Sequence, residues 1–173
     1  MSRRKLDILI LPITAGLVVL LDQLSKHFVI ARLAEGQSWE VAPWLAPVFR
    51  ITHVTNTGAA FGLFRGGSDV FVIIAAVVIV AIIIYYRQLP DGQWLMRVAL
   101  GLQLGGAIGN NLVDRLRQGF VVDFIDLNFW PLHEWPVFNL ADSSIVAGVV
   151  LLALLMIEEE RRERQRQRVA QDG

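Results

Sequence analysis

Long apolar stretches, broken by charge mainly at their ends, dominate this chain. Four emerge, at about residues 6–30, 70–86, 95–113 and 137–157. Each approaches the roughly 20 residues a helix needs to cross a hydrocarbon core about 30 Å thick. The stretch 70–86 carries no charged residue at all. The connections read differently. Residues 31–69 contain two segments rich in β-formers, Trp39 to Val41 and Val48 to Val54, with Pro43 and Pro47 between them. That pattern predicts a small sheet lying on the membrane. The expectation is an all-α integral membrane protein: four transmembrane helices and a small extracytoplasmic β-sheet on the outer face, in one domain. Residues 31–69 and 114–136 would lie outside, and 158–173 would form a cytoplasmic tail, either a solvated helix or disordered.

Composition and charge sharpen this. The 173 residues are 54% hydrophobic with a mean hydropathy of +0.50, too apolar for an ordinary soluble domain. Net charge is zero, but the charges are segregated. Arg3, Arg4 and Lys5 open the chain, Arg87 and Arg97 bracket the link between the second and third stretches, and five arginines from Arg161 to Arg168 close it. Four spans put both termini on one side, and the excess of basic residues places that side in the cytoplasm. Lys26, Arg32, Arg50, Arg65, Arg115 and Arg117 dilute the bias. Trp39, Trp44, Trp130 and Trp135 fall in the outer connections, where interfacial aromatics belong. Glutamates 158, 159, 160 and 163 interleave with the terminal arginines, which disfavours a nucleic-acid partner. The N-terminus imitates a signal peptide. Its apolar run is too long for one, and Ala31-Arg32-Leu33-Ala34 is no cleavage site, so a retained anchor is expected.

The candidate chemistry lies in the polar residues that interrupt this pattern. There is no cysteine, so disulfides, thiol nucleophiles and thiolate metal sites are excluded. His27, His53 and His133 lack metal-ligand spacing, and neither a nucleophile elbow nor a phosphate loop is present. Asp123 lies in Val121-Val122-Asp123-Phe124-Ile125, and Asp142 in Phe138-Asn139-Leu140-Ala141-Asp142-Ser143. A carboxylate at a membrane boundary is costly and marks a functional site by default. Asp142 falls near the start of a helix, where free N–H groups favour the ionised form. Asp123, between Val122 and Phe124, is expected to be desolvated and protonated. That asymmetry suits an acid–base pair. The plainer alternatives are an N-cap for Asp142 and a capped turn for Asp123, with Asp126 as a decoy.

Depth supports a common site. At about 1.5 Å per residue, Asp22, Asn111 and Asp142 lie roughly 21, 24 and 22 Å along their respective stretches, in the outer third of the bilayer. Asp22 and Lys26 are i, i+4 and can pair, as a structural bridge or as support for the site. The segment Asn56-Thr57-Gly58-Ala59-Ala60-Phe61-Gly62 is either a re-entry turn or the wall of an extended-peptide groove. Gly105, Gly106 and Gly109 suit close helix packing. Asp114 sits at a helix C-terminus, where the dipole disfavours an anion, and the adjacent Arg115 is the expected compensation. These residues leave three readings open: a peptidase, a proton-coupled transporter and a membrane scaffold.

Taken in order, five blocks resemble the bacterial lipoprotein signal peptidases (signal peptidase II), a family of membrane aspartic peptidases. They are Leu21-Asp22-Gln23-Leu24-Ser25-Lys26, the block from Asn56 to Gly62, the block from Gly105 to Arg115, Val121-Val122-Asp123-Phe124, and Phe138-Asn139-Leu140-Ala141-Asp142-Ser143. The resemblance implies an endopeptidase that removes signal peptides from prolipoproteins, cutting before a cysteine that carries diacylglycerol, at the outer face of the cytoplasmic membrane. It implies Asp123 and Asp142 as the catalytic pair, with Asp22, Lys26, Asn56, Gly58, Asn111, Asp114, Arg115 and Asn139 in support. It implies neither metal nor organic cofactor, membrane lipid as a neighbour, and inhibition by globomycin-type peptides. A monomer is expected. The family block reads G-N-x-x-D-R, whereas Gly109-Asn110-Asn111-Leu112-Val113-Asp114 carries one extra residue. Spacing to Asp114 favours Asn111 as the supporting asparagine, and adjacency to Gly109 favours Asn110. The reading taken is Asn111.

Overall fold

The computed structural model describes residues 3–58 and 68–172, with side chains for residues 7–58 and 70–171. Residues 59–62 of the small-residue segment, and Arg65, lie outside the described residues. The elements run α1 (Arg3–Arg32), β1 (Ser38–Trp39), β2 (Phe49–Asn56), α2 (Ser68–Gln88), α3 (Trp94–Ala107), a π-helical segment (Ile108–Arg115), the short turn α4 (Leu116–Gln118), β3 (Val121–Leu127) and α5 (Leu140–Asp172). The molecule is mostly helical, with one small antiparallel sheet in the order β1-β2-β3.

Three helical stretches are long and apolar enough to cross a membrane: Asp7–Arg32, Val70–Gln88 and Leu140–Gln171. The expected third stretch, 95–113, differs. Its regular helix ends at Ala107 and continues as the π-helical segment, which carries Asn110, Asn111, Asp114 and Arg115. The fourth stretch begins at Leu140 rather than residue 137, and its helix runs on unbroken to Asp172. The tail is therefore helical, with Arg162 and Arg164 paired to Glu158 and Glu160 one turn back.

The helices are organised around α3, which packs between α1 and α5. The inward stripe of α1 reads Leu11, Ala15, Val18, Asp22, Lys26 and Val29, at helical three- and four-residue steps, and every member is buried. The opposite face, including Ile13, Leu17, Leu20, Leu24 and Phe28, is apolar and exposed. This polarity suits lipid outside and polar groups within. Glycines set the spacing. A Cβ on Gly105 would stand 2.6 Å from Val18 Cβ, and one on Gly106 would stand 2.4 Å from the Ala141 carbonyl oxygen. Neither neighbour can retreat without moving a helix, so the backbones meet only because these side chains are absent.

At one end, the last turn of α2 and the link after it dock on α1: Tyr86 Oη donates to the Ile8 carbonyl (2.6 Å) and Gly92 N to Asp7 Oδ2 (2.8 Å). At the other end sits the sheet. β1 is shorter than expected and excludes Val41, whereas β2 extends to Asn56. The third strand, β3, includes Asp123, which therefore stands on a strand and not in the capped turn offered as its plainer alternative. Pairing of Val54 with Asp123 and of Asn56 with Val121 lays the end of β2 beside the carboxylate.

Candidate active site

The N-terminus of α5 organises the site. Asn139 is its N-cap: the Asn139 carbonyl accepts Ser143 N (3.1 Å), and its Oδ1 accepts Asp142 N (2.9 Å). Asp142 Oδ2 accepts Asn139 N in return (3.3 Å). This is a reciprocal capping box, with Asp142 three residues into the helix. The plain N-cap alternative for Asp142 is thus corrected: Asn139 holds that position. The next free helix N–H, at Ala141, donates to Asp22 Oδ1 of α1 (3.1 Å).

Asn139 also reaches the other carboxylate. Its Nδ2 donates to Asp123 Oδ1 (2.7 Å), to Asn110 Oδ1 (3.1 Å) and to the Val122 carbonyl (3.3 Å). One fully buried asparagine therefore ties Asp123 on β3 to Asp142 on α5. Asn56 Nδ2 at the end of β2 donates to Asp123 Oδ2 (2.9 Å), while Asn56 Oδ1 accepts Gly58 N (3.0 Å). Burial pushes the Asp123 carboxyl up to about 7, and the nearby Asp142 pushes the same way. The amides of Asn56 and Asn139, together with Lys26, oppose the shift without cancelling it.

Behind this pair lies a buried charge cluster. Lys26 Nζ donates to Asp22 Oδ2 (2.7 Å), Asn110 Oδ1 (2.7 Å) and Asp114 Oδ2 (2.6 Å). Gln23 Nε2 bridges Asp114 Oδ1 (2.8 Å) and Asp22 Oδ2 (3.1 Å). The cation beside Asp114 is therefore Lys26. Arg115, expected in that role, still interacts electrostatically with Asp114 but makes its hydrogen bond elsewhere: its Nη2 donates to the Gly58 carbonyl just past β2 (2.6 Å), and its guanidinium stacks over Phe71. The asparagine in the network is Asn110, whose Nδ2 donates to Asp142 Oδ1 (2.8 Å). Asn111 instead hydrogen-bonds back to the Ala107 carbonyl (3.2 Å). The choice of Asn111 is corrected, because the spacing rule assumed an α-helix where a π-helix forms. Asp126 faces away from Asp123 and pairs with Arg50 and Thr52 across the sheet.

Sequence reasoning missed Gln23 entirely. Its only signal was adjacency to Asp22 in a helix, which is too weak to act on. Asn110 did have a signal, its adjacency to Gly109.

Asp123 and Asp142 both line an open cavity of about 940 Å³, with Asn56, Gly58, Asn110, Asn111 and Arg115 at its polar end. Its remaining wall is apolar and follows α5 from Ile145 to Leu154. Two carboxyls that share one asparagine and face one cavity can polarise a carbonyl and activate a water between them. Among the described residues no cluster of His, Asp and Glu has the arrangement of a metal site.

Residues 14–158 match the profile of Peptidase_A8, signal peptidase (SPase) II. The chain belongs to the signal peptidase II family. It is 45% identical to a lipoprotein signal peptidase of Moorella thermoacetica over 152 residues, covering 86% of this chain and 95% of that one. A lipoprotein signal peptidase of Desulfitobacterium hafniense is 46% identical over 153 residues, covering 88% and 95%. Among solved structures, one described as a bacterial membrane enzyme superposes with a TM-score of 0.78 at 35% identity, covering 90% of each chain. A second, described in the same words, gives 0.75 at 36% identity, covering 88% of this chain and 92% of that one. The family membership and the apolar helices make this a membrane-embedded peptidase.

Proposed function

We propose that Asp123 and Asp142 are the catalytic pair of an aspartic endopeptidase that works at the outer boundary of the membrane. As a signal peptidase II, the chain cleaves signal peptides from prolipoproteins. The observation that carries the assignment of the pair is Asn139, whose side-chain amide donates to the Asp123 carboxyl and whose backbone N–H donates to the Asp142 carboxyl, both carboxyls lining one cavity. Asp123, held protonated by burial, donates to the scissile carbonyl oxygen. Asp142, whose oxygens accept N–H groups from Asn110 and Asn139, takes a proton from the attacking water. The tetrahedral intermediate collapses as Asp142 passes its proton to the leaving amine and Asp123 takes back a proton from the gem-diol oxygen, which returns the pair to its starting state. No metal or organic cofactor enters the scheme.

The preferred substrate carries a diacylglyceryl-cysteine, cut on its N-terminal side. Its lipid rests in the outer leaflet, and its peptide crosses the polar end of the cavity beside Asn56, Gly58 and Arg115. Asp22, Lys26, Asn110, Asp114 and Asn139 hold the pair in place. Four spans at about 6–30, 70–86, 95–113 and 137–157 cross the inner membrane, with both termini in the cytoplasm and the sheet outside. The regular helix and π-helical segment from Trp94 to Arg115 form a continuous rod, which supports the third span. The chain acts as a monomer, and globomycin-type peptides inhibit by filling the same cavity. The polar groups gather at one level rather than along a path, which favours hydrolysis over ion transport.

The test is cleavage of a diacylglyceryl-modified precursor by purified protein, with and without the inhibitor peptide. Asp123→Asn and Asp142→Asn should each lower turnover by about 10³-fold or more while the protein stays folded. Activity retained in either variant removes that residue from the catalytic pair.

A further inference from the structure

We propose that Asn110 is a positioning residue: its amide couples the Lys26 ammonium to the Asp142 carboxylate, and the π-helical segment is what turns Asn110 rather than Asn111 into that place. The inference rests on Asp142 being catalytic.

The amide of Asn110 is held at both ends. Its Oδ1 accepts Lys26 Nζ and Asn139 Nδ2, and its Nδ2 donates to Asp142 Oδ1. A flipped amide would aim N–H groups at an ammonium and an oxygen at a carboxylate, so only one orientation is possible. Lys26 has three N–H groups, and all three are used, on Asp22, Asn110 and Asp114. Its charge therefore reaches Asp142 through the Asn110 amide, and polarisation by the cation strengthens the far N–H as a donor. With Asn139 N on the other oxygen, the Asp142 carboxylate has a donor on each side. Rotation about its last bond would break one of them.

The backbone explains why this asparagine was chosen. A π-helix turns by about 80° per residue, against about 100° for an α-helix. Five π steps from Gly109 to Asp114 thus reach nearly the azimuth of four α steps. The extra residue is absorbed without rotating Asp114 away from Lys26. Asn110, one step past Gly109, keeps the inward direction. Asn111 moves off it and hydrogen-bonds back to the Ala107 carbonyl, although both asparagines line the cavity.

The experiment compares kcat and KM of the full-length protein at pH 7 on a lipidated precursor. A displaced catalytic group can cost about 10²-fold in rate. Asn110→Ala should lower kcat by about 30- to 100-fold and leave KM within about threefold, whereas Asn111→Ala, which leaves the Lys26–Asp142 link intact, should cost less kcat than Asn110→Ala. Asn110→Asp has the same shape and keeps the acceptor facing Lys26, but replaces the donor facing Asp142. It should lose at least as much kcat as Asn110→Ala while remaining folded. Full kcat in Asn110→Asp, or a larger kcat loss in Asn111→Ala than in Asn110→Ala, overturns the inference. Asp142→Asn, run in parallel, separates the two levels. If it is inactive while the Asn110 variants are normal, only the positioning role falls; if it is active, the catalytic reading itself falls.

Discussion

Asp123 carries a consequence for pH that can be worked out at the level of one side chain. Its folded value near 7 lies above the ordinary 3.8, so the native state keeps a proton that the unfolded chain gives up. Stability from this group is therefore greatest below about pH 4 and declines as pH rises through about 7. The size is on the order of a few kcal/mol. Asp123→Asn should remove the slope, so the variant should gain unfolding temperature relative to the parent between pH 5 and 8 in detergent. Turnover of the parent should fall above about pH 7, as the proton donor is lost. Side-chain chemistry of this kind was partly readable beforehand. Val122 and Phe124 on either side of Asp123 announced desolvation. Nothing local announced that Asn139 would reach Asp123, because that contact joins a strand to a helix.

Helices and strands were legible wherever the apolar pattern was strong, and least so where backbone geometry departed from α. The inward stripe of α1, from Leu11 to Val29, follows from helical spacing once Asp22 and Lys26 are taken as inward-facing. The π-helical segment could not be read that way, since the same letters at α spacing select a different asparagine. Contact between helices makes its own prediction. Gly106 lies against the Ala141 carbonyl, in the residue next to Asp142. Gly106→Val should push α5 away from α3, destabilising the protein by about 1–3 kcal/mol. It should also lower turnover beyond what the stability loss explains, because Asp142 moves with its helix. Thermal unfolding and kcat measured on the same preparation separate the two effects.

At the scale of the molecule, the polar network sits at one end of the bundle with the sheet. The Tyr86 and Gly92 contacts to α1 sit at the other. The proposed topology puts the sheet outside the cell. Because the natural chain lacks cysteine, single-cysteine labelling needs no background removal. Glu40→Cys should react with an impermeant maleimide on intact spheroplasts, and Gln171→Cys only after lysis. The reverse pattern would invert the molecule and remove the proposed site from the outer face. That the chain forms long apolar helices with one small sheet was readable because a bilayer permits so few solutions to a chain this apolar. How β3 returns to pair with β2 was not, because strand pairing across some 70 residues leaves no trace in local periodicity.

The shared asparagine has an implication for the emergence of drug resistance. Asn139 sets the distance between the two acids and also begins the helix that carries one of them. Asn139 is fully buried and does not line the cavity, so a substitution there would unravel the helix start and part the acids without reaching a molecule bound in the cavity. Escape from the proposed cavity-filling inhibitors should therefore arise along the greasy flank from Ile145 to Leu154, where a side chain can change without disturbing Asn139.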